Sequence, residues 1–289
     1  MKYKKNQRCM DKFVFAVRNE TIFLHRNGKS SAKLLTPKML LRFLVILCVL
    51  WTVSASAAFC LELVLASDPW CPYTCDPDSP DPGYLVEVSR AIFTQHDIRI
   101  HYQTKPWKRV LVEAKSGIID GAMTVDKSDG AGLVLNKIPF TTTIQTVVTR
   151  KNDPFQWKGI DSVSYRVFIA INGYTYGEAI NGWIRSDRRT ARIHLVSGED
   201  ALPRSLRMIF EKRGDFLVND LNVLKHTLSS MSLAGKFQFQ PTGLQSGMFI
   251  GFSGKRKDAE KLADYLDSGM ASPKMQPLIR QLKEKYHIN

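Results

Sequence analysis

The sequence lacks the short motifs that most often identify an enzyme. It contains no Gly-x-Ser-x-Gly nucleophile turn, no phosphate-binding loop of the Gly-x-x-x-x-Gly-Lys-Ser/Thr type and no His-Glu-x-x-His zinc motif. Its six histidines are scattered, so spacing assigns none of them to a metal site or to acid–base work. Motifs therefore give no support to a serine hydrolase, a P-loop nucleotidase or a zinc peptidase.

Only one hydrophobic run in the chain is long enough to act as a signal peptide or a membrane anchor. Residues 43–53 form an uncharged stretch, with basic residues before it and small residues after it. A basic start, a short apolar core and the sequence Ala55-Ser56-Ala57 are typical of a secretory signal peptide, which we place at residues 39–57. Counting on to Leu61 makes the run long enough to span a bilayer, so an uncleaved anchor is the alternative. The rest of the chain is expected in the periplasm.

Residues 1–38 form a basic N-terminal extension without sustained periodicity. Met39 stands where an initiator methionine is expected, so the simplest hypothesis is a start site assigned too early. If the hydrophobic run is an anchor, the extension would instead be a cytoplasmic tail, for which positive charge is appropriate.

Acidic residues are in the minority, with 27 Asp and Glu against 41 Lys and Arg and a net charge of +14. Residues 1–57 hold eleven basic and two acidic residues, so nine of these net charges lie there and the remainder of the chain carries +5. The basic balance thus belongs mostly to the targeting sequence. Nucleic-acid binding loses its main support, and no nucleic-acid partner is expected.

Cysteine is scarce, and two of the five cysteines are close together. Cys71 and Cys75 lie four residues apart in a proline-containing loop, whereas Cys60 has no evident partner. A disulfide is favoured in an exported protein, and the chain-entropy model gives such a small loop about 2 kcal/mol. Its use would be local, to hold the loop in shape. A metal site is the alternative, but no histidine or third cysteine stands at ligand spacing, and we predict no metal.

The first part of the exported chain alternates strand and helix patterns at the spacing of βαβ units. Strand patterns occupy residues 61–66, 98–102 and 118–123, and amphipathic helices begin near Gly83 and at Trp107. The second helix is expected to end at Gly117. This order predicts an α/β fold with a parallel sheet, whose ligands gather beyond the carboxyl ends of the strands.

Two segments within this block carry a family resemblance. The order of an apolar strand, an aromatic loop, "GYLVEVSRAIF" and "PWKRVLVEAKSGIIDGAM" resembles the extracytoplasmic solute-binding proteins of the amino-acid-binding type, bacterial family 3. The resemblance covers roughly residues 61–288. It implies a type II periplasmic-binding-protein fold, in which two lobes, each a mixed, mostly parallel sheet flanked by helices, are joined by two hinge strands. It also implies a monomer without a cofactor that serves an ABC transporter permease.

The resemblance places the two crossing strands near residues 143–150 and 247–252. Lobe 1 would then be discontinuous, with residues 58–148 and 245–289, and lobe 2 would comprise residues 149–244. Within lobe 2, Ser197-Gly-Glu-Asp200 predicts a capping box before a helix whose inward face includes Phe210.

Four residues of the first lobe are predicted to contact a ligand, namely Asp68, Trp70, Tyr73 and Thr124. Aromatic faces supply apolar contact or cation–π attraction, and the polar groups fix the orientation of the ligand. Trp107 begins an apolar helical stripe, and we predict that it belongs to the core.

The second lobe contributes a glycine-containing turn and an aspartate. The turn Asn172-Gly-Tyr-Thr-Tyr-Gly177 feeds a helix N-terminus, a natural anion site. The resemblance implies that Tyr174 and Thr175 lie near the carboxylate of the ligand, and a plain βα turn is the alternative. Asp220 follows a strand, where the resemblance implies an acidic residue that holds a ligand ammonium group. A helix N-cap is the alternative for Asp220.

One departure from the family pattern concerns the ligand. Family members carry an arginine soon after the third strand, which forms a bidentate pair with the α-carboxylate. The stretch from Thr124 to Gly132 contains no arginine, and Lys127 lacks the planar fork. The ligand is therefore left open between an amino acid and a related small polar compound.

Three functions are compatible with these observations. The leading hypothesis is a solute-binding protein for an ABC transporter, which closes on a small polar ligand and performs no covalent chemistry. The second is a periplasmic enzyme of dehydratase type on the same fold, with Asp68, Asp126 or Asp220 as acid or base. The third is a membrane-anchored ligand-sensing module.

Overall fold

The computed structural model describes residues 61–187 and 192–288. The N-terminal extension, the predicted signal peptide and Cys60 lie outside the described residues. Among the described residues, no helix has both the length and the apolar composition needed to cross a membrane.

The described residues form an α/β structure whose order follows the alternation expected from the sequence. The strands are β1 (Leu61–Ser67), β2 (Ile98–Thr104), β3 (Gly121–Val125), β4 (Leu133–Leu135), β5 (Thr141–Arg150), β6 (Phe168–Ile171), β7 (Ile193–Val196), β8 (Phe216–Asp220) and β9 (Phe237–Ser253). The helices are α1 (Tyr84–Thr94), α2 (Trp107–Ser116), α3 (Glu178–Asp187), α4 (Ala201–Phe210), α5 (Leu221–Ser230), α6 (Ala259–Ala271) and α7 (Gln276–Lys285), with a short 3-10 helix at Ile160–Val163.

The first lobe is built on β1, which pairs in parallel with β2 and β3. Helices α6 and α7 pack against α1 and complete this lobe. Helix α2 ends as predicted, with Gly117 in the left-handed conformation at φ 82°. Strand β3 begins only at Gly121, because Ile118 lies in the preceding turn with 71% of its surface exposed. The parallel sheet predicted for this segment is confirmed.

The second lobe contains β6, which pairs in parallel with both β7 and β8. Strand β6 starts at Phe168, and Tyr165, which precedes it by three residues, is 95% exposed. The predicted capping box before α4 is wrong, because Asp200 occupies the N-cap position and makes no side-chain cap hydrogen bond. Phe210, at the end of α4, is 44% exposed rather than inward-facing.

Strands β5 and β9 connect the two lobes. They pair with one another in antiparallel fashion, and the register shifts between Ile144 and Thr146. On its other edge β5 pairs with β8 of the second lobe, whereas the C-terminal part of β9 pairs with β3 and β4 of the first. The strand order is therefore β2-β1-β3-β9-β5-β8-β6-β7. The segments expected to cross between the lobes lie within these two strands.

The hydrophobic core extends through both lobes. Leu63 and Leu65 of β1 are fully buried in the same cluster as Phe168 and Phe216 of the second lobe. A smaller cluster lies under α2 and contains Trp107, which is 5% exposed. Trp107 thus belongs to the core, as predicted, and it also lines the cavity described below.

Candidate functional site

A cavity of about 80 Å³ lies where the carboxyl ends of strands from both lobes meet. Asp68 follows β1 and Thr124 lies in β3, whereas Tyr174 follows β6 and Asn219 lies near the end of β8. This is the position where α/β folds commonly bind ligands. Gln145 of β5 completes the wall on the side of the crossing strands. The space exceeds the roughly 10–15 Å³ that a single buried water requires.

Asp68 is a buried carboxyl group at the centre of this wall. It is 8% exposed, and its carboxylate accepts a hydrogen bond from the hydroxyl of Tyr174 in the opposite lobe. Burial raises the pKa of Asp68 to about 6, and the hydrogen bond from Tyr174 lowers it in part. At neutral pH the group is mostly ionised and carries negative charge into the cavity.

Thr124 reaches the cavity through an unusual backbone conformation. Its φ is 60°, in the left-handed region that β-branched residues rarely adopt, at an irregularity in the pairing of β3 with β9. Such a conformation costs on the order of 1–3 kcal/mol and is found most often at functional sites. The side-chain hydroxyl lies 2.8 Å from that of Ser67, so the two strand ends are joined at the cavity wall.

The loop after β1 is closed by the predicted disulfide between Cys71 and Cys75, which the structure confirms. The backbone N–H groups of Trp70 and Thr74 donate to each other's carbonyl oxygens, at 2.6 Å and 3.2 Å. The loop thereby holds the indole of Trp70 at the cavity, where its Nε1 donates to Asn219 Oδ1 at 2.8 Å. This hydrogen bond is a second direct link between the lobes.

Tyr73 lies behind the cavity wall rather than on it. Its side chain is fully buried, and its ring packs 5.3 Å from that of Trp70. Its hydroxyl donates to Asp220 Oδ1 at 3.2 Å and accepts from Asn222 Nδ2 at 3.0 Å. Tyr73 therefore supports the groups that line the cavity and does not itself face the space.

Asp220 lines the cavity and also caps helix α5. Its carboxylate accepts from the N–H groups of Asn222 and Val223 at 2.9 Å and 3.1 Å. It accepts a further bond from Ile144 N at 3.0 Å, in addition to the Tyr73 hydroxyl. Burial raises the pKa of Asp220, and these hydrogen bonds lower it in part. The cap that was the alternative interpretation of this residue is present in the structure.

The turn after β6 faces carboxylates of the first lobe. Besides the bond from Tyr174 to Asp68, Thr175 Oγ1 donates to Asp126 Oδ2 at 3.3 Å. Of the backbone N–H groups in this turn, that of Tyr174 donates to a carbonyl oxygen and that of Tyr176 to a side chain. These two N–H groups are therefore already paired within the second lobe and are not free to bind an anion.

Sequence reasoning missed several residues that the fold brings to the cavity. Asp129 lines it, accepts from Trp107 Nε1 at 3.3 Å, and has a pKa raised to about 6 by burial and by the charge of Asp126. Asn219 and Gln145 each bury one polar atom without a hydrogen-bond partner, namely Nδ2 and Oε1. The position of Asn219 directly before Asp220 was the available signal for that residue.

Negative charge dominates the cavity wall. Among the described residues that line it are four aspartates, at positions 68, 126, 129 and 220, and no lysine, arginine or histidine. Lys105 and Arg109 both form ion pairs with Glu113, and neither lines the cavity. The ammonium of Lys127 lies 5.8 Å over the ring of Phe249. The described part of the chain contains no group of three His, Cys, Asp or Glu side chains placed to hold a metal ion.

Comparison with solved structures identifies the fold. No protein-family model matches the sequence, and comparison with curated proteins finds no match. A histidine kinase sensor domain with similarity to periplasmic binding proteins aligns with a TM-score of 0.64 and 16% identity, over 79% of this chain and 96% of that one. The substrate-binding protein of an amino acid ABC transporter aligns with a TM-score of 0.61 and 13% identity, over 78% and 98%.

A third similar structure is an ABC uptake transporter substrate-binding protein from Streptococcus pneumoniae with bound histidine. It aligns with a TM-score of 0.63 and 13% identity, over 78% of this chain and 92% of that one. These likenesses confirm the two-lobed periplasmic-binding-protein fold that the resemblance in sequence implies.

Proposed function

We propose that this protein is an extracytoplasmic solute-binding protein that captures a small polar ligand between its lobes for an ABC transporter. The observation that carries the proposal is the convergence of strand ends from both lobes on one cavity lined by aromatic and polar groups. Two of the similar structures are substrate-binding proteins of ABC transporters, which is consistent with this role.

Ligand capture would use β5 and β9 as the hinge. The direct hydrogen bonds from Tyr174 to Asp68 and from Trp70 to Asn219 join groups that separate when the lobes open. A ligand that binds the closed form better than the open form shifts the population toward closure. The closed form would then be recognised by the transporter permease, and the protein would act as a monomer.

Two alternative functions are each supported by one observation. One similar structure is a histidine kinase sensor domain, so an anchored sensing module is compatible with the same fold. A periplasmic enzyme is the other, since the Asp68 carboxyl group has a pKa of about 6, close to the range that suits a general acid or base.

A ligand screen on the exported protein tests the proposal. The full coding sequence is expressed, the exported product is purified and its N-terminus is sequenced. After mild unfolding and refolding to remove bound solute, melting is followed with amino acids, amines, dicarboxylates, sugars and short peptides. A ligand at a hundred times its dissociation constant stabilises the folded state by about 2.7 kcal/mol.

The outcomes separate the alternatives. A raised melting temperature with one chemical class, and recovery of that solute unchanged, supports solute binding. Conversion of the solute into a product points to the enzyme instead. An N-terminus that retains residues 43–61 points to the anchored module, and the absence of a shift with every solute contradicts the proposal.

A further inference from the structure

We infer that the ligand is a small organic cation that carries no carboxylate. This inference rests on the proposed function and specifies its substrate class. It follows from three features of the cavity wall, which are its charge, its aromatic surfaces and its two unpaired polar atoms.

The charge of the wall excludes a firm site for an anionic group. Asp68, Asp126 and Asp129 line the cavity, and no described lining residue carries a positive charge. A ligand carboxylate placed here would be repelled by the aspartates and would lose its hydration without an ionic partner. An ammonium or guanidinium group would instead be stabilised here, because each aspartate attracts it.

The aromatic surfaces of the wall also suit a cation. Trp70 and Trp107 come from the first lobe, and Tyr174 and Tyr176 from the second, so rings line the cavity on both sides. The face of an aromatic ring attracts a cation within about 6 Å of its centre, and the attraction grows when water is excluded. Rings and carboxylates together form the surroundings in which proteins bind organic amines.

Two buried polar atoms without partners indicate which hydrogen-bonding groups the ligand carries besides its charge. Asn219 is 5% exposed, and its Oδ1 accepts bonds from Trp70 Nε1 and Asp220 N, which fixes the orientation of its amide. Its Nδ2 is left as a buried donor without a partner, and Gln145 Oε1 is a buried acceptor without one. Buried polar groups are almost always paired in native proteins. An N–H donor of the ligand would satisfy Gln145 Oε1, and an uncharged acceptor, in ligands that carry one, would satisfy Asn219 Nδ2.

Matched compounds test the charge of the ligand directly. Ornithine, lysine and arginine are compared with their amides and with putrescine, cadaverine and agmatine by calorimetry on the exported protein. Within each series both nitrogen groups, the α-amine and the side-chain amine or guanidine, are kept, while the carboxylate is present, replaced by a neutral amide, or removed. We expect the amide or the amine of at least one series to bind ten-fold or more tightly than its parent amino acid.

A pair of variants tests the site. Asp68→Asn removes a negative charge from the cavity, and Asp161→Asn removes one from an exposed position in the 3-10 helix. The first substitution should weaken binding of the amide or amine at least ten-fold, and the second should leave it within two-fold. Equal losses in both variants would show attraction by the overall charge rather than by the cavity, and would overturn the inference.

The remaining outcomes distinguish this inference from the proposed function. Tighter binding of the parent amino acid in every series, or binding of an anionic or neutral solute from the broad screen instead, overturns the substrate class and leaves solute binding intact. Binding of Ca²⁺ or Mg²⁺, added as the chloride salts, in place of the amines also overturns the inferred substrate class. If no compound in either set binds, both the inference and the proposed function fail.

Discussion

Asp68 and Tyr174 face one another across the cavity, and the hydroxyl of Tyr174 donates to the carboxylate of Asp68. The two residues come from loops after β1 and β6, more than a hundred positions apart in the chain. Asp68 is buried, and its pKa is raised to about 6. The pair therefore combines a link between the lobes with a negative charge held partly desolvated at the candidate site.

Replacing Tyr174 by Phe should raise the pKa of Asp68 further. The hydroxyl stabilises the ionised carboxylate, so its loss favours the protonated form. A carbon-13 NMR titration of the carboxyl group measures this, and we expect a midpoint above that of the unsubstituted protein. A midpoint that stays the same or falls would show that the hydrogen bond does not form in solution.

Asp68→Asn should stabilise the unliganded protein at neutral pH. The pKa of Asp68 is raised from 3.8 to about 6 on folding, so between these values the folded state binds more protons than the unfolded state. Stability therefore falls as pH rises through this range, and the loss is complete above it. The titratable groups that interact with Asp68 are Tyr102, Tyr174, Tyr176 and Asp129.

Urea unfolding at pH 4 and pH 7.5 measures this effect. The Asn variant should be more stable than the unsubstituted protein by up to about 3 kcal/mol at pH 7.5, with a much smaller difference at pH 4. Asp161→Asn, at an exposed position, serves as the control and should change stability little at either pH. A variant that is less stable at pH 7.5 contradicts the prediction.

Gly173→Ala should obstruct closure of the lobes. A Cβ at Gly173 would lie 2.8 Å from Lys108 Cβ and 3.0 Å from Lys108 Cα, at the start of α2 in the other lobe. Gly235 holds the same position in a turn closed by an i to i+3 hydrogen bond, with φ 79° against 94°, but a Cβ there would meet nothing within 4 Å. Both alanines carry a backbone strain of about 1–2 kcal/mol, so their difference isolates the contact between the lobes.

The prediction is tested by measuring the ligand affinity and the melting temperature of both glycine variants. We expect similar losses of stability in the unliganded proteins and at least a ten-fold weaker affinity in Gly173→Ala alone. If both variants bind equally well, the contact with Lys108 plays no part in the liganded state.

Two substitutions at Asp220 separate its roles as helix cap and as ligand contact. Asp220→Ala removes the acceptor for Asn222, Val223 and Ile144, and should lower the free energy of unfolding by about 2–4 kcal/mol. Asp220→Asn keeps an acceptor oxygen for the cap but places its NH2 group against the N–H of Ile144, so it should cost about 1–2 kcal/mol, less than alanine because it also removes a buried charge. Unfolding and calorimetry are measured on both.

If Asp220 binds a cationic ligand, the Asn variant should lose at least ten-fold in affinity although its loss of stability is smaller than that of the Ala variant. Unchanged affinity in that variant would assign Asp220 to the cap alone.

Removing the disulfide should weaken both folding and ligand binding. The double substitution Cys71→Ser and Cys75→Ser should lower the free energy of unfolding by about 2 kcal/mol, as expected for a short loop. Because this loop positions the indole of Trp70 at the cavity, ligand affinity should fall as well. The single substitution Cys71→Ala tests whether the bond matters rather than the serine hydroxyls, and should reproduce both losses.

The sheet was largely predictable because its strands are marked by local patterns. Apolar runs, helical spacing and the terminal Gly117 are properties of short segments, and β1, α1, β2 and α2 follow from them. The start of β3 was misplaced because apolar character alone does not distinguish Ile118, which remains exposed in a turn. The capping box before α4 failed for a related reason, since a four-residue pattern does not reveal which side chains the tertiary structure engages.

The candidate site was less predictable, because its members are defined by contacts between distant segments. Asp68, Trp70 and Thr124 were recognisable as polar or aromatic residues at strand ends. Gln145 carries no such signal, and only the pairing of β5 with β8 and β9 places it at the cavity. Tyr73 is an aromatic residue of the kind that often contacts ligands, but its side chain is buried behind the cavity wall. Sequence patterns do not show which way such a side chain points.

The hydrogen bond between Trp70 and Asn219 makes the fluorescence of Trp70 sensitive to opening of the lobes. Opening of the lobes would break this bond and expose the indole to water, which shifts the emission of tryptophan to longer wavelengths. Occupancy of the cavity could then be followed without a label, by the colour and intensity of intrinsic fluorescence. The speed of closure after mixing with a solute would be available from the same signal.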